Sequence, residues 1–402
     1  MIIDNISINC HNLRLSISWR TSLEDIPRRL SLHKTLKNRS CFLFGPRQTG
    51  KSTLIRNEFA GHKVYNLLDQ ALFLRLNSNP SLIRQELEPT DQIVVIDEIQ
   101  KMPNLLNEVQ LMIDECGIRF LMTGSSARSL RKKGTNLLGG RARSRNLHPF
   151  TRAELLDQFD LQRALEFGLL PPIYFSDAPV EDLAAYTGTY LREEIAAEAV
   201  VRNLSAFSRF LQIAALCHGQ MLNFSQIAND SQVPVSTVRE YFQILKDTLI
   251  AYELPAFTET RKRKAISTSK YYLFDIGVAR TLQGRRGLPE RTQEYGQAFE
   301  SYLFQEIRAF CDYHLLTDLH YWRSKSQYEV DFILDLRVAI EVKAKRNIGN
   351  VDLRSIKALR EEGLFDRYIV VTMEENPRKV EEIELLPWED FLDQLWSGNI
   401  VS

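Results

Sequence analysis

The sequence has few cysteines, no long apolar run and no net charge, and each of these absences excludes a class of protein. The cysteines lie far apart and form no CxxC pair, so we expect neither a disulfide framework nor a zinc module. They are Cys10, Cys41, Cys116, Cys217 and Cys311. No run reaches the roughly 18 apolar residues of a membrane span, and residues 1–20 lack the pattern of a signal peptide. These absences predict a cytoplasmic protein without a membrane segment.

The charges balance, with 51 Lys and Arg against 51 Asp and Glu in 402 residues. The whole molecule therefore has no field that attracts a polyanion, and any nucleic-acid surface must come from local segregation of charge. Hydrophobic residues make up 44% and charged residues 25%, which is typical of globular domains. At about 150 residues per domain, the length predicts two or three domains.

Short apolar runs alternate with helix-like stretches in the first third of the chain. Such runs predict a mostly parallel sheet that is buried on both faces, and therefore an α/β core. The runs are Cys41–Phe44, Val64–Leu68, Ile93–Ile96 and Arg119–Met122, with a weaker one at Arg143–Leu147. We divide the chain into an N-terminal arm (1–25), this α/β domain (26–150), a helical connecting region (151–204), a helical module (205–286) and a smaller α/β domain (294–402).

The first apolar run leads into a complete GxxxxGK[ST] motif, GPRQTGKS, followed by a helix-compatible stretch. Glycines let backbone N–H groups curl around phosphate oxygens, and the following helix N-terminus favours the anion. We expect Lys51 to reach the β- and γ-phosphates and Ser52 to hold Mg²⁺. The predicted nucleotide-binding residues are Gly45, Pro46, Arg47, Gln48, Thr49, Gly50, Lys51, Ser52 and Thr53. The motif predicts ATP and Mg²⁺ as ligands.

Two carboxylates, Asp97 and Glu98, follow the buried run Ile93–Ile96. This is a Walker B pattern at the strand edge where open α/β sheets bind ligands. We expect Asp97 to position Mg²⁺ and Glu98 to polarise the attacking water, which makes Lys51 and Glu98 the catalytic candidates. The alternative interpretation is an acidic helix cap.

The next strand ends in Thr123-Gly-Ser-Ser, and a strongly basic stretch follows. Thr123 or Ser125 is a candidate sensor of the γ-phosphate, although a serine there also suits a helix cap. Between residues 125 and 150 there are seven basic residues and no acidic one. Arg141 is our candidate for binding nucleotide, within its own subunit or across the interface of a homo-oligomer. A phosphate-backbone surface and a solvated face remain alternatives. The basic residues are Arg128, Arg131, Lys132, Lys133, Arg141, Arg143 and Arg145.

These motifs, in this order, resemble those of a family of bacterial and archaeal AAA+-type P-loop ATPases. The matching segments are GPRQTGKS, Ile96–Lys101, Met122–Ala127 and Gly139–Arg141, and they continue through Tyr190–Glu194, Lys270–Gly277 and Glu329–Leu334. The resemblance implies an added strand between the cradle strand and the Walker B strand. It also implies a C-terminal domain of unassigned function, and it supplies no cellular role.

The middle of the chain has a pattern typical of a winged helix-turn-helix. We predict a helix over Gln226–Asp230, capped by Ser225, and a second helix from Ser236 or Thr237 to about Leu249. The side chains expected to face outward are Ser236, Thr237, Arg239 and Gln243. Residues 255–286 contain eight basic and two acidic residues, with Arg261–Lys264 where a hairpin wing would turn. This predicts contact with DNA; an internal lid or a protein contact is the alternative.

In the last segment, strand alternation places Asp331 on one face of its strand, and Glu341 and Lys343 together on one face of the next. With Glu300 from the preceding helix, the group resembles the PD-(D/E)xK nuclease superfamily, although Val330 stands in the proline position. The resemblance implies Asp331, Glu341 and Lys343 as catalytic residues, and Glu300, Asp331 and Glu341 as Mg²⁺ ligands. A solvated Glu/Lys pair and an inactive nuclease-like scaffold remain alternatives.

Two functions follow from these patterns. The first is an ATP-hydrolysing protein that acts on or with DNA, with Mg²⁺-dependent nuclease activity in its C-terminal domain. The second is an ATP-dependent switch or partner-binding protein whose nuclease-like domain is inactive.

Overall fold

The computed structural model describes residues 26–128, 130, 138–190 and 203–401, with only the backbone at positions 189 and 190. The predictions made for the N-terminal arm, for Arg131, Lys132 and Lys133, and for residues 191–194 lie outside the described residues.

The first domain is built on a parallel sheet of five strands in the order β2-β3-β4-β1-β5. The strands are β1 (Ser40–Phe44), β2 (Lys63–Asn66), β3 (Ile93–Asp97), β4 (Arg119–Gly124) and β5 (Ala142–Asn146). Strand β4 lies between the cradle strand β1 and the Walker B strand β3 and pairs with both. Phe42 and Phe44 pack into one core, whereas Cys41 and Leu43 pack into another on the opposite face. The expected doubly covered α/β sheet and the added strand are confirmed.

Short helices cover both faces of this sheet. They are α1 (His33–Leu36), α2 (Lys51–Glu58), α3 (Gln70–Ser78), α4 (Leu82–Glu86), a 3-10 turn (Ile99–Lys101) and α5 (Leu105–Cys116). Asp69 caps the N-terminus of α3, and its side chain accepts from the amides of Ala71 and Leu72. Gly117, with a φ of 68°, caps the C-terminus of α5.

The connecting region is helical, as expected from its sequence. It contains α6 (Arg152–Leu155), a 3-10 turn (Leu156–Gln158), α7 (Leu161–Phe167), α8 (Pro171–Tyr174), α9 (Pro179–Ala185) and a π turn (Tyr186–Tyr190). Thr151 precedes α6, and its amide donates to the Glu154 carboxylate at 3.1 Å, which satisfies one backbone donor at the start of the helix.

The middle module combines four helices with a small antiparallel sheet in the order β6-β8-β7 within the described residues. Its elements are α10 (Leu204–Leu216), β6 (Gln220–Met221), α11 (Phe224–Ser231), α12 (Val235–Asp247), β7 (Ala251–Leu254), β8 (Lys270–Leu273) and α13 (Ile276–Leu282). Helices α11 and α12 occupy the two predicted helical segments. The predicted cap is wrong by two residues, because Asn223 and not Ser225 accepts the amide of Gln226.

The C-terminal domain has a mixed sheet in the order β13-β14-β12-β11-β10-β9. Its elements are α14 (Gln293–His314), β9 (Leu319–Arg323), β10 (Glu329–Leu334), β11 (Val338–Lys343), α15 (Arg354–Arg360), β12 (Arg367–Thr372), β13 (Arg378–Val380), β14 (Ile383–Pro387) and α16 (Trp388–Trp396). Strands β9, β10 and β11 run antiparallel, and β12 joins β11 in parallel after α15. This order brings β10 and β11 side by side, as the sequence predicts.

The middle module and the C-terminal domain share one apolar core. Tyr272 of β8 stacks on Phe304 of α14, with ring centroids 4.0 Å apart and planes at 14°. The chain between β7 and β8 also reaches the edge strand β9: the Phe257 amide donates to the Tyr321 carbonyl at 2.7 Å, and the Ile266 amide to the Arg323 carbonyl at 2.8 Å. Side chains of β8 are therefore held against the C-terminal domain.

Candidate nucleotide site and C-terminal carboxylate cluster

The GPRQTGKS segment forms a tight loop between β1 and α2. Gln48 and Gly50 adopt left-handed backbone conformations, with φ of 65° and 96°. A Cβ at Gly45 would lie 2.5 Å from the carbonyl oxygen of Leu147, so only glycine fits there. The loop therefore has the compact curl that a phosphate cradle requires.

The side chain of Lys51 lies inside this loop. Its Nζ donates to the carbonyl oxygens of Gly45 at 2.6 Å and Pro46 at 3.0 Å. The Thr49 hydroxyl donates to the same Pro46 carbonyl at 2.9 Å. The loop thus places an ammonium at its centre, where the charge of a terminal phosphate would be neutralised.

Side chains of two neighbouring elements, α2 and β4, converge on Asp97. Its Oδ2 accepts from the Ser52 hydroxyl at 3.1 Å, and its Oδ1 accepts from the Thr123 hydroxyl. Thr123 is fully buried, and its oxygen also accepts from the Glu98 amide at 3.3 Å. A hydroxyl and a carboxylate that converge in this way are suited to Mg²⁺, so the residues present fit a magnesium-nucleotide site. Thr123, one of the two predicted sensor candidates, is joined directly to this site.

Glu98 has a φ of 62° in the left-handed region. Its Oε2 accepts from Nε2 of Gln100 at 2.5 Å. An ordinary side chain held at positive φ is a strained arrangement that is common at functional sites. Sequence reasoning missed Gln100, whose place two residues after Glu98 in the IDEIQK segment is its only signal.

Arg28 supports the cradle from behind, and sequence reasoning missed it. Its guanidinium donates to the Thr49 carbonyl at 2.6 Å, to the His148 carbonyl at 2.6 Å and to Glu154 at 3.0 Å. Its side chain is 5% exposed. Burial lowers the pKa of Arg28, but the Glu154 carboxylate raises it by more, so the guanidinium stays charged. No local pattern indicates this residue, since its partners lie 21 to 126 positions away.

A cavity of about 530 Å³ adjoins the cradle. It lies between the segment that precedes β1, the first turns of α2 and the connecting helices, and its lining mixes apolar and polar side chains. The size suits a nucleoside. The lining residues are Ile26, Pro27, Arg28, Gly50, Thr53, Leu54, Asn57, Glu58, Phe150 and Pro171. Thr53, predicted to bind nucleotide, therefore faces this cavity next to Gly50.

Tyr186 donates to the Arg47 carbonyl at 3.3 Å and holds the other side of the phosphate-binding loop.

The structure does not bring Arg141 to the cradle of its own chain. Arg141 precedes β5, whose first residue pairs with the start of β1, whereas the cradle follows the end of β1. Five strand residues, about 16 Å, separate the two ends. Arg141 forms an ion pair with Asp114 at 2.6 Å at that far edge. Direct nucleotide contact within one chain is therefore not supported by this placement.

Helix α12, the second helix of the predicted helix-turn-helix, exposes most of the side chains expected to face outward, whereas the basic run Arg261–Lys264 is bound to the C-terminal domain. Ser236, Arg239 and Gln243 are exposed, and Thr237 is half-buried. The run lies midway between the antiparallel strands β7 and β8, as a hairpin tip should. The amides of Arg261, Lys262 and Arg263 all donate to the buried Glu362 carboxylate, at 2.8, 2.8 and 2.9 Å.

The Arg263 guanidinium is also committed to this contact. It donates to the Ala358 carbonyl at 2.8 Å and to Glu361 at 2.6 Å. The run is therefore not a free tip, although Arg261 and Lys264 remain exposed. The sequence could not show this, because Glu362 lies about 100 residues further along the chain.

Strands β10 and β11 and helix α14 bring the predicted C-terminal residues together. Asp331 accepts from the Val342 amide at 2.8 Å, and Lys343 is bonded to Glu341. Glu300 accepts from the Tyr272 hydroxyl at 2.6 Å and from Lys270 at 3.3 Å. We call Glu300, Glu329, Asp331 and Glu341 the carboxylate cluster.

Burial and the neighbouring charges shift the pKa values of the ionisable groups in the cluster. Burial, Glu341 and Glu300 raise the pKa of Asp331 well above its usual range. Burial also raises the pKa of Glu341 to about 7, against the opposing effect of Lys343. Burial lowers the pKa of Lys343, but Glu341 and Asp331 raise it by more. The lysine is therefore charged, and the two carboxyl groups share a tendency to hold protons at neutral pH.

The predicted three-carboxylate metal centre is not formed. Across the described stretches of the chain, no three His, Cys, Asp or Glu side chains are placed to hold a metal ion. Glu300 is occupied by Lys270 and Tyr272, and this is the physical reason. Glu341 Oε2 is buried with no hydrogen-bond partner, yet one oxygen does not make a magnesium site. Glu300 is therefore not available as the third ligand of the Mg²⁺ expected here.

A cleft of about 820 Å³ opens beside the cluster. Glu300, Asp331 and Lys343 line it, together with three further cations, Arg291, Lys345 and Arg346. Cations around a concave surface suit a phosphodiester backbone.

The phosphate-binding loop, the contacts of Asp97 and the parallel sheet define the first domain as a P-loop domain. Residues 37–156 match a family model described as "AAA domain". Residues 158–288 and 295–391 match two models, each described as a domain of unknown function. These findings support an AAA-type P-loop ATPase with a C-terminal domain of unassigned function. In the described part of the chain, no helix combines the length and apolar character needed to cross a bilayer.

Three relatives of the chain are each described as an uncharacterized protein. An uncharacterized protein of Mycobacterium tuberculosis is 28% identical over 305 residues, which cover 73% of this chain and 67% of that protein. One from Haemophilus influenzae is 25% identical over 244 residues, 56% and 60% of the two chains. One from Methanocaldococcus jannaschii is 23% identical over 364 residues, 81% and 79%.

Solved structures align with parts of the chain. A replication initiator DnaA bound to AMPPCP and single-stranded DNA aligns at 14% identity and a TM-score of 0.27, over 56% of this chain and 91% of that one. A STAND-type signal transduction ATPase from Pyrococcus horikoshii aligns at 15% identity and a TM-score of 0.20, over 74% and 50%.

Proposed function

We propose that the protein binds ATP with Mg²⁺, hydrolyses it, and uses the nucleotide state to control how its middle and C-terminal modules act on or with DNA. One observation carries the proposal: Asp97 joins Ser52 of the cradle helix to Thr123 of the neighbouring strand, directly beside Lys51 and Glu98. Phosphoryl transfer depends on positioning and charge neutralisation, and this arrangement provides both.

Each residue of the site has a separate role. The loop amides and Lys51 bind the terminal phosphates, and the cavity beside Thr53 takes the nucleoside. Ser52 and Asp97 hold Mg²⁺, which when bound neutralises phosphate charge. Glu98 accepts a hydrogen bond from the attacking water and takes its proton, and Thr123 keeps Asp97 in place.

ATP hydrolysis by two variants tests this proposal. Lys51→Ala is expected to lose both binding and hydrolysis, whereas Glu98→Gln keeps binding and loses hydrolysis. Lys101→Ala is the matched control, since Lys101 is exposed in the turn after Glu98. Hydrolysis is followed by phosphate release, and binding by calorimetry. If Glu98→Gln hydrolyses ATP as fast as the parent, the proposed mechanism is wrong.

An ion pair provides a path from the nucleotide to the middle module. Arg128, five residues after Thr123, is bonded to Asp247 at the end of α12. Asp247 also accepts from Gln243 at 2.7 Å on the exposed face of that helix. A movement of the strand end at Thr123 would therefore act on α12, which supports control of this module by nucleotide.

The middle module is proposed to be a winged helix that contacts DNA. The order helix, strand, helix, helix, strand, strand supports this, as do the exposed residues of α12. Because the basic run is bound to Glu362, contact would come from α12 together with Arg261 and Lys264. Fluorescence anisotropy with duplex DNA tests this: Lys264→Ala should weaken binding and reduce its salt dependence, whereas Lys34→Ala, on the exposed face of α1, should not. Binding to a protein instead of DNA would leave the anisotropy unchanged in every variant.

A second candidate function, phosphodiester cleavage in a nuclease-like C-terminal domain, is favoured by the cation-lined cleft beside Asp331 and Lys343. Incubation of plasmid with the protein and Mg²⁺ or Mn²⁺ tests it. Nicking that is lost in both Asp331→Ala and Lys343→Ala would support cleavage. Equal nicking by wild type and variants, or none at all, would reject it and favour the ATP-dependent switch with an inactive domain.

A further inference from the structure

Lys270 begins β8 of the middle module, but its side chain ends in the carboxylate cluster of the C-terminal domain. Its Nζ lies 2.5 Å from Glu329 Oε1 and 3.3 Å from Glu300 Oε1. The side chain is 5% exposed. A lysine is rarely buried this deeply unless its charge is paired.

The same face of β8 supplies a second group. Residues 270 and 272 point to one side of a strand, and the Tyr272 hydroxyl donates to Glu300 Oε1 at 2.6 Å. One carboxylate oxygen thus receives an ammonium and a hydroxyl from a different module. The stacking of Tyr272 on Phe304 fixes the position of the tyrosine ring.

Three of the four carboxylates in the cluster, Glu300, Glu329 and Glu341, form ion pairs with lysine or arginine side chains. Lys343 is bonded to Glu341, and Arg323 to Glu329 at 2.9 Å. Within the part of the chain that the structure describes, Lys270 is the one cation in ion-pair contact with Glu300. It also lies 5.3 Å from the ring centroid of Tyr321, which adds a favourable cation–π contact. The charge that a divalent metal would supply at Glu300 is already provided.

We infer that Lys270 is the resident cation of the carboxylate cluster: its ammonium, and not a divalent metal, neutralises Glu300 and Glu329. The cluster is consequently a composite of two modules, and it is complete only while β8 is docked on α14. The inference concerns the site of the second candidate function, but it requires neither ATP hydrolysis nor DNA cleavage. Glu300 is therefore the ion-pair partner of Lys270 and not a ligand of the metal ion predicted from the sequence.

The test is Mn²⁺ binding by calorimetry to the full-length, nucleotide-free chain. Wild type and Glu300→Gln are expected to bind Mn²⁺ identically, because Glu300 has no role in metal binding while Lys270 is present. Lys270→Met is expected to gain one Mn²⁺ site that wild type lacks. Lys270→Met/Glu300→Gln should lose the gained site. Lys345→Met is the control, since it removes a cleft lysine that pairs instead with Asp352 at 2.5 Å.

Thermal unfolding adds a readout that does not depend on the calorimetric signal. Lys270→Met should melt at a lower temperature than Lys345→Met, and Mn²⁺ should raise the melting temperature of Lys270→Met alone. A Mn²⁺ site in wild type that Glu300→Gln abolishes would overturn the inference, and this comparison needs no Lys270 variant. A folded Lys270→Met that gains no Mn²⁺ site would also overturn it. Plasmid nicking, measured separately, reports only on the second candidate function.

Discussion

Replacing Arg28 by alanine should destabilise the first domain and weaken ATP binding. The change leaves Glu154, whose side chain has no exposed surface, without its cation, and removing one partner of a buried pair costs about 3–5 kcal/mol. Glu154 still accepts from the amides of Arg29 at 2.7 Å and Thr151 at 3.1 Å. We therefore expect the lower end of that range, about 3 kcal/mol.

The effect on ATP follows from the bond to the Thr49 carbonyl. If one loop residue regains its backbone freedom, ordering it again on binding costs about 1–2 kcal/mol, which is about 5- to 30-fold in affinity. Calorimetric ATP titration and urea unfolding measure the two effects. Arg29→Ala is the matched control. Arg29 is the next residue in the chain, and its guanidinium lies at the surface, where it donates to the Ala153 carbonyl at 3.3 Å.

A double variant separates the charge from the packing. Arg28→Met/Glu154→Gln removes both charges, so it should recover part of the lost stability while ATP binding stays weak. If Arg28→Ala matches Arg29→Ala in both assays, the assigned role of Arg28 is refuted.

Three further predictions concern other parts of the molecule. Thr123→Val should slow ATP hydrolysis by about 10- to 100-fold at nearly unchanged affinity, because it removes a bond that orients Asp97; unchanged turnover would contradict this. Glu362→Gln weakens the charged acceptor of the basic run at a cost of about 1.5–3 kcal/mol, so trypsin should cut within residues 261–264 at least about tenfold faster than in wild type. Burial raises the pKa of Glu306 to about 7, above its usual 4.5, so its contribution to stability is complete below about pH 4.5 and is lost as the pH rises through 7. Glu306→Gln should therefore become more stable relative to wild type over that window, by up to about 3 kcal/mol, and parallel unfolding curves would refute this.

The nucleotide site could be predicted because its signals are local. The spacing of GPRQTGKS, and the position of Asp97 directly after an apolar run, fix the loop and the strand end without knowledge of distant residues. The bounds of strands could also be predicted where apolar and polar residues alternate clearly, as in β10 and β11. Neither β13 nor β14 was predicted from the sequence. Strand β13 has only three residues, Arg378-Lys-Val380, and they do not alternate between apolar and polar.

The rest depends on contacts between residues far apart in the chain. Glu300 belongs to the predicted cluster, but its partners Lys270 and Tyr272 lie in another module, 30 and 28 positions earlier. The basic run has the charge of a DNA-binding wing, and only tertiary packing shows that Glu362 binds its backbone. In both cases the residue type indicates the chemistry, and the fold decides the partner.

The docking of residues 255–266 against β9 bears on self-association. A strand at the border of a sheet presents unpaired amides and carbonyls that can template the addition of a strand from another molecule. Here the Phe257 and Ile266 amides occupy carbonyls of β9, and the opposite border is the three-residue β13, with exposed Arg378 and Lys379. Neither border of the C-terminal sheet offers a long uncharged template, so assemblies of this protein should form through side-chain surfaces and not by continuation of the sheet from one molecule to the next.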